Sequence, residues 1–239
     1  MKRIVTVSGV DEKTEVSKLI ELSKKYDFLE FGVLVSEDKT NTGKSNRYPS
    51  FSYIDKLIDA KLPLSCHIYG ELANEFIGIG DFTKIRKFLT PRRVAGFSRF
   101  QLSNKGFENY IPFNIPDDIR IILQASDYKS FQYYWEMNRR LANEDRVGVL
   151  YNISDSNNKL DSLNMVADED EYVGYTGNVT LDNISYILGY IDGRNENDRD
   201  YWIDIENFIR NDEDCFDVHK VEEICNEVIK CENTRLGIK

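Results

Sequence analysis

Residues 201–210 read YWIDIENFIR: Tyr201-Trp202-Ile203-Asp204-Ile205-Glu206-Asn207-Phe208-Ile209-Arg210. The stretch alternates as a β-strand does. Ile203 and Ile205 fall on one face, and Trp202, Asp204 and Glu206 on the other. Two carboxylates on one strand face have two readings. They can guard an exposed sheet edge against pairing with another chain. They can also line the open end of a closed sheet, where a ligand binds. The rest of the chain decides between these readings by the number and order of its elements.

Seven further strand-like runs precede this one, at residues 3–10, 28–35, 62–70, 94–103, 119–126, 147–154 and 172–178. Helical spacing of apolar residues fills most of the gaps. It is clear in EKTEVSKLIELSKKY, SFSYIDKLIDAK, FQYYWEMNRRLAN, TLDNISYILGYI and VHKVEEICNEVIK, and helical signals also run from the third strand to about Leu89. Thr180 is placed to cap the helix after the seventh run. The segments after the fourth and sixth runs carry no clear helix, and Pro112 and Pro116 favour a loop in the first of them. Eight strand units in 239 residues match a closed parallel (β/α)8 barrel, which typically takes about 250 residues. An open doubly wound sheet is the alternative, but it leaves two edges and does not require eight units. No low-complexity linker interrupts the chain, so residues 1–239 are read as one barrel domain. A closed barrel has no edge. The carboxylates of the last strand are therefore expected at its mouth, the C-terminal end of the strands, where barrel active sites lie.

Composition narrows the partners. The net charge is -10, with acidic residues spread along the chain, so phosphate backbones are repelled at long range and nucleic acid is not an expected partner. No apolar run reaches the length of a membrane span and no signal-like segment opens the chain, which gives a cytoplasmic expectation without membrane contact. The cysteines Cys66, Cys215, Cys225 and Cys231 form no C-x-x-C pair and read as reduced thiols. With His67 and His219 as the only histidines, a zinc site is poorly supported. Neither a metal nor a cofactor is expected. The expected partners are a small molecule and, beyond it, at most a second copy of the chain as a homodimer.

The barrel reading selects candidate groups at strand ends. Asp204 and Glu206 could act as acid and base, hold ribose hydroxyls, bind Mg²⁺ with waters completing the octahedron, or pair with Arg210, four residues beyond Glu206; two carboxylates alone make the metal the lesser reading. Arg47 and Tyr48 lie in a basic, glycine-containing loop after the second strand, where an arginine could clamp an anion; an ordinary solvated loop is the alternative. His67 ends the third strand and suits proton transfer, or it is a satisfied core histidine. Gln101 and Gln124 could bind ligand carbonyls or ring nitrogens, or belong to a structural network. Asp155 follows the sixth strand in DSNN, either as a general base or as a turn residue. Tyr175 could stack on a ligand ring at the mouth or pack in the core.

Several pieces taken in order resemble phosphoribosylanthranilate isomerase, a barrel enzyme of tryptophan synthesis. These are VSGV at 7–10, FLEFGVLV at 28–35, GYTGNVTLDNISYIL at 174–188, and the final strand and helix. The likeness is closer to a branch of isomerase-like proteins with RYPS after strand two (47–50) and WIDIE...R in strand eight. The resemblance implies a cysteine acid/base at the end of strand one, where this chain has Ser8. A hydroxyl cannot replace a thiol in proton transfer near neutral pH. It implies an aspartate after strand six, for which Asp155 is the counterpart. It also implies a phosphate held by backbone N–H groups after strands seven and eight, of which Gly174, Thr176 and Gly177 keep part. Asp204 and Glu206 stand where the family has small neutral residues, and they would repel a phosphate.

The expected function is therefore a barrel that binds a small sugar-phosphate or nucleotide-like ligand without the isomerase reaction, as a sensor or sequestering protein. Two alternatives remain open at the level of sequence. One is a sugar isomerase, epimerase or hydrolase using Asp155, Asp204 and Glu206. The other is a catalytically dead scaffold.

Overall fold

The structure, a computed structural model, describes residues 3–103, 115–125, 130, 132–134, 146–153, 173–193 and 199–237. Eight parallel strands close into a barrel in sequence order. They are β1 (Arg3–Ser8), β2 (Leu29–Ser36), β3 (Leu64–Tyr69), β4 (Phe100–Leu102), β5 (Ile121–Ala125), β6 (Val147–Asn152), β7 (Val173–Thr176) and β8 (Tyr201–Ile205). Closure comes from β8, which pairs with β7 through Gly174↔Trp202 and with β1 through Ile4↔Trp202 and Thr6↔Asp204. An open sheet is thereby excluded. The helices around it are α1 (Val16–Lys25), α2 (Phe51–Asp59), α3 (Glu71–Ile79), α4 (Thr83–Val94), α5 (Ile184–Asp192) and α6 (Val218–Leu236).

The boundaries differ from the sequence reading at three places. The run expected as a strand over 94–103 contributes only Phe100–Leu102 to the barrel, because Val94 is the last residue of α4 and is buried there. Thr180 does not cap α5. It sits one turn earlier, and its carbonyl accepts from Ile184 N–H while Asn183 occupies the cap. Arg210 lies beyond β8 and forms an isolated antiparallel bridge with Phe216. The segment after β6 and most of the segments after β4 and β5 fall outside the described residues.

The period of two sorts every strand into an outer and an inner face. Val5, Val7, Phe31, Val33, Cys66, Ile68, Leu123, Val149, Ile203 and Ile205 point outward, and they join the helices' apolar stripes in one continuous core. The inner face is different. Ile122, Leu150 and Trp202, with Ile4 packed against them, form a separate small cluster inside the barrel. Gly174 makes room for it: a Cβ there would lie 1.9 Å from the Trp202 ring, so only glycine fits opposite the indole. The remaining inner positions on β1 to β4, together with Asp204, are mostly polar.

Candidate functional site

The inner polar residues stack in levels from the barrel's middle toward its mouth. The lowest level is a buried ion pair. Arg99 donates from Nε and Nη2 to Glu30 Oε2 at 3.0 and 2.6 Å. Glu30 also accepts from Thr6 Oγ1 at 2.9 Å and Ser98 Oγ at 2.8 Å. Burial pushes the Glu30 carboxyl up, but Arg99 and these hydrogen bonds outweigh it and hold it below the usual glutamate value. The Arg99 guanidinium also lies over the Trp202 ring, 4.4 Å from its centroid, so it joins the polar and apolar parts of the lumen.

The next level brings together Ser8, His67, Gln101 and Asp204, none more than 4% exposed. Ser8 Oγ donates to Asp204 Oδ1 at 2.5 Å, and Gln101 Nε2 donates to Asp204 Oδ2 at 3.1 Å. Gln101 Nε2 also lies 3.2 Å from His67 Nδ1, and Ser65 Oγ lies 3.1 Å from His67 Nε2. Both neighbours of the Gln101 amide nitrogen are then acceptors. We therefore assign His67 the tautomer with a bare Nδ1 and a proton on Nε2 that is donated to Ser65. Burial lowers the His67 pKa, and the attraction of Asp204 does not reverse this; the imidazole is neutral near pH 7. Gly32 faces this level from β2. A Cβ there would approach Ser8 Oγ to 2.4 Å and His67 Cε1 to 3.0 Å. The level is thus a filled, hydrogen-bonded floor.

The mouth stands one residue pair higher. Tyr69 follows His67 by two positions, and Glu206 follows Asp204 by two. The Tyr69 hydroxyl lies 3.5 Å from Glu206 Oε2. Glu206 is ion-paired with Arg47, which crosses from the β2–α2 loop. Arg47 also donates to both oxygens of Asp214, at 2.8 to 3.1 Å, and to Asn207 Oδ1 at 3.1 Å. Tyr48 packs edge-on against Tyr69 with centroids 6.1 Å apart. Burial, assisted by the Glu206 charge, pushes its phenol up to about 12. Gln124 accepts from Ser103 Oγ at 2.7 Å, and Thr176 Oγ1 donates to the Asp204 carbonyl at 3.0 Å. Gly177 turns the chain after β7 with φ +128°.

Ser8, His67, Gln101 and Asp204 therefore share the floor, and Arg47, Tyr48 and Glu206 share the mouth. Gln124 and Thr176 occupy the surrounding strand ends. Two expectations are corrected. Tyr175 is not at the mouth: Gly174 faces inward, so its neighbour faces outward, and Tyr175 packs against Tyr201 in the outer core with centroids 6.2 Å apart. Arg210 does not neutralise Asp204 or Glu206. It is buried, with Nη2 on Asp11 at 2.9 Å, Nε on Asp214 at 2.7 Å and Nη1 on the Gly9 carbonyl at 2.6 Å. Arg47 instead pairs with Glu206, the role expected of Arg210. Asp155 lies outside the described residues.

Glu30, Ser65, Tyr69, Arg99 and Ser103 were not singled out from sequence. A signal for them exists. Ser65-x-His67-x-Tyr69 and Arg99-x-Gln101-x-Ser103 repeat the alternation that Trp202-x-Asp204-x-Glu206 shows in β8.

No protein-family model matches the chain, and no curated protein matches it significantly. Solved structures do. The N-(5'-phosphoribosyl)anthranilate isomerase of Pyrococcus furiosus superposes with a TM-score of 0.60 at 14% identity, covering 95% of this chain and 99% of that one. The phosphoribosyl anthranilate isomerase of Thermococcus kodakaraensis gives 0.59 at 12%, covering 94% and 98%. TrpF from Jonesia denitrificans gives 0.58 at 10%, covering 96% and 98%. The fold is that of the phosphoribosylanthranilate isomerases. Identities this low carry the isomerase-like architecture from end to end, and the chemistry has to be read from the site itself.

Among the described residues around the mouth, Asp11, Asp204, Glu206 and Asp214 outnumber Arg47, Arg210 and the Lys39 ammonium that sits 5.0 Å above the Tyr48 ring. Among the described residues no group of three His, Cys, Asp or Glu side chains is arranged to hold a metal ion, and no helix is long and apolar enough to cross a membrane.

Proposed function

We propose that the barrel binds a small sugar-like molecule, of sugar-phosphate or nucleotide size, at its mouth and does not perform the isomerase reaction of the barrels it resembles. One observation carries this reading: the Ser8 hydroxyl, at the position where the resemblance implies a thiol acid/base, is donated to Asp204. A buried hydroxyl held by a carboxylate neither gives up nor takes a proton near neutral pH. Restoring the thiol does not restore the chemistry, because a thiolate beside buried Asp204 is disfavoured by like charge.

Sugar hydroxyls suit what remains. Glu206 is partly exposed, and among the described residues its Oε2 meets the Tyr69 hydroxyl at a long 3.5 Å. Gln124 uses its carbonyl oxygen on Ser103, which leaves its NH2 to donate. A carboxylate acceptor and a carboxamide donor at the strand ends suit the hydroxyl groups of a sugar. The excess of carboxylates weighs against a phosphate dianion, so hydroxyl groups dominate recognition even in a phosphorylated ligand. An enzyme acting on a sugar is the second reading, favoured by the Asp204 carboxylate lying beside both Ser8 and His67.

The test is calorimetric titration with a pentose, its 5-phosphate and a nucleoside 5'-monophosphate, together with an isomerase assay. We expect saturable binding by at least one compound, no product by NMR, and no isomerase turnover by the wild type or Ser8→Cys. Turnover of phosphoribosylanthranilate by either protein overturns the reading. Conversion of a bound sugar selects the enzyme instead.

A further inference from the structure

We infer that Asn46, Arg47 and Tyr48 form a latch that closes the mouth, with Asp214 as its fixed catch and Glu206 as the tooth that exchanges between latch and ligand. The inference rests on the binding reading above and adds how that site opens.

Three consecutive side chains of the β2–α2 loop dock on the segment after β8 or on β3. Asn46 Nδ2 donates to Cys215 Sγ at 3.5 Å. Arg47 holds Asp214 through three hydrogen bonds, and Glu206 and Asn207 through one nitrogen. Tyr48 inserts against Tyr69. The loop's two ends are anchored independently of these contacts. At one end Thr40 Oγ1 accepts from Ser36 N–H at 2.9 Å. At the other, Ser50 N–H donates to Glu12 at 2.6 Å, and the Ser50 hydroxyl caps α2. Between them residues 41–44 and Asn46 are exposed while Tyr48 and Pro49 are buried, and Asn41 and Gly43 have φ of +63° and +69°. Asparagine and glycine tolerate that region and its neighbours, so the loop can reorganise between fixed ends.

The catch is rigid by comparison. Asp214 is held from behind by Arg210, which donates to its side chain and its carbonyl. Arg210 is itself buried against Asp11 and Gly9. Arg210 is thus a positioning residue: it presents Asp214 to Arg47. Glu206 has no such brace. A ligand hydroxyl can take Glu206 while Arg47 stays bidentate on Asp214, so the latch can close over an occupied site.

The contacts are weak enough to release. Arg47 and Glu206 are each 27% exposed and Asp214 is 50% exposed, and ion pairs of this exposure are individually small and screened by salt. Ser8, His67, Gln101 and Asp204 lie buried beneath this level.

The cysteines supply a readout that needs no ligand. Cys215 is 8% exposed and lies under Asn46, while Cys66 and Cys225 are fully buried and Cys231 is partly exposed on α6. N-ethylmaleimide labelling is followed by mass spectrometry, with Cys231 as internal reference. Arg47→Ala should speed Cys215 modification relative to Cys231 by roughly fivefold to tenfold, the loss of two partly exposed ion pairs. About 1 M NaCl should speed it in the wild type, since the Debye length there is about 3 Å. Asp214→Asn should act like Arg47→Ala. Labelling of Cys66 would show that a variant has unfolded, and the salt dependence of the wild type then decides alone. A Cys215 rate indifferent to both salt and Arg47→Ala overturns the latch and leaves the binding reading untouched. A latch that responds as expected in a protein that binds no sugar removes the binding reading and leaves the latch.

Discussion

On the side of β5, β6 and the start of β8, the barrel is filled by Ile122, Leu150 and Trp202, which pack on one another and on Ile4, with the Arg99 guanidinium over the indole. On the side of β1 to β4, it is filled by Thr6, Glu30, Ser65, His67, Arg99 and Gln101, with Asp204 reaching across from β8. Both halves are buried, but they specify structure differently. The apolar half requires only volume, and Gly174 is the adjustment that lets an indole fit. The polar half requires every donor to meet an acceptor, because a buried group without a partner loses its hydration for nothing in return. That demand fixes the His67 tautomer and ties Ser8 to Asp204. It makes the floor of the mouth a rigid plate rather than a set of free reagents.

Substitutions should separate the two halves. The largest effect is expected from Arg99→Ala, which strands the Glu30 carboxylate in the lumen. Breaking a buried pair by removing one partner costs about 3–5 kcal/mol, read as a fall in the urea midpoint. Replacing both as Glu30→Leu with Arg99→Met should recover much of that loss, since an apolar pair removes the desolvation penalty. If the double variant is as unstable as the single one, the polar half is not held by this pair. In the apolar half, Gly174→Ala drives a Cβ into the Trp202 ring and should cost about 1–3 kcal/mol, partly relieved by Trp202→Leu. Asp204→Asn turns one of the two oxygens that accept from Ser8 and Gln101 into an amide donor, leaving one of them without its acceptor, and should cost about 1–3 kcal/mol.

Acidity should probe the polar half in two windows. His67 holds its proton less tightly in the folded chain. Below about pH 6.5 the unfolded chain therefore takes up a proton first, and stability falls until the lowered folded value is reached. Glu30 acts lower. Its folded carboxyl sits below the usual value, so its contribution is complete above about pH 4.3 and is lost as pH falls through that depressed value. Stability measured against pH should lose the upper step in His67→Gln and the lower one in Glu30→Gln. A profile unchanged in both variants would mean that neither group is held as described.

Much of this was legible in the chain. Eight strand-like runs gave the barrel, and the alternation Trp202-x-Asp204-x-Glu206 gave their inward direction. Gly174 could have placed Tyr175 outside, since neighbours on a strand face opposite ways. Which charges meet was not legible. Arg47 and Glu206 are 159 positions apart, and no local pattern joins them. Arg210 lies past the end of β8, where the period of two no longer says which way a side chain points. Sequence proximity points to Arg210 as the partner of Glu206, while the partner in the structure comes from another loop.

Glu206 is the residue on which stability and binding should part company. It is partly exposed at the mouth, so Glu206→Gln should change folding stability by less than about 0.5 kcal/mol, yet it replaces the charged acceptor offered to a ligand with a neutral carboxamide. Native mass spectrometry of the wild type and Glu206→Gln, each purified gently from its host, measures this directly. The account predicts a wild-type species carrying a retained compound of sugar-like mass, released on denaturation and strongly depleted in the variant. A bare polypeptide mass in both proteins, or equal retention in both, contradicts it.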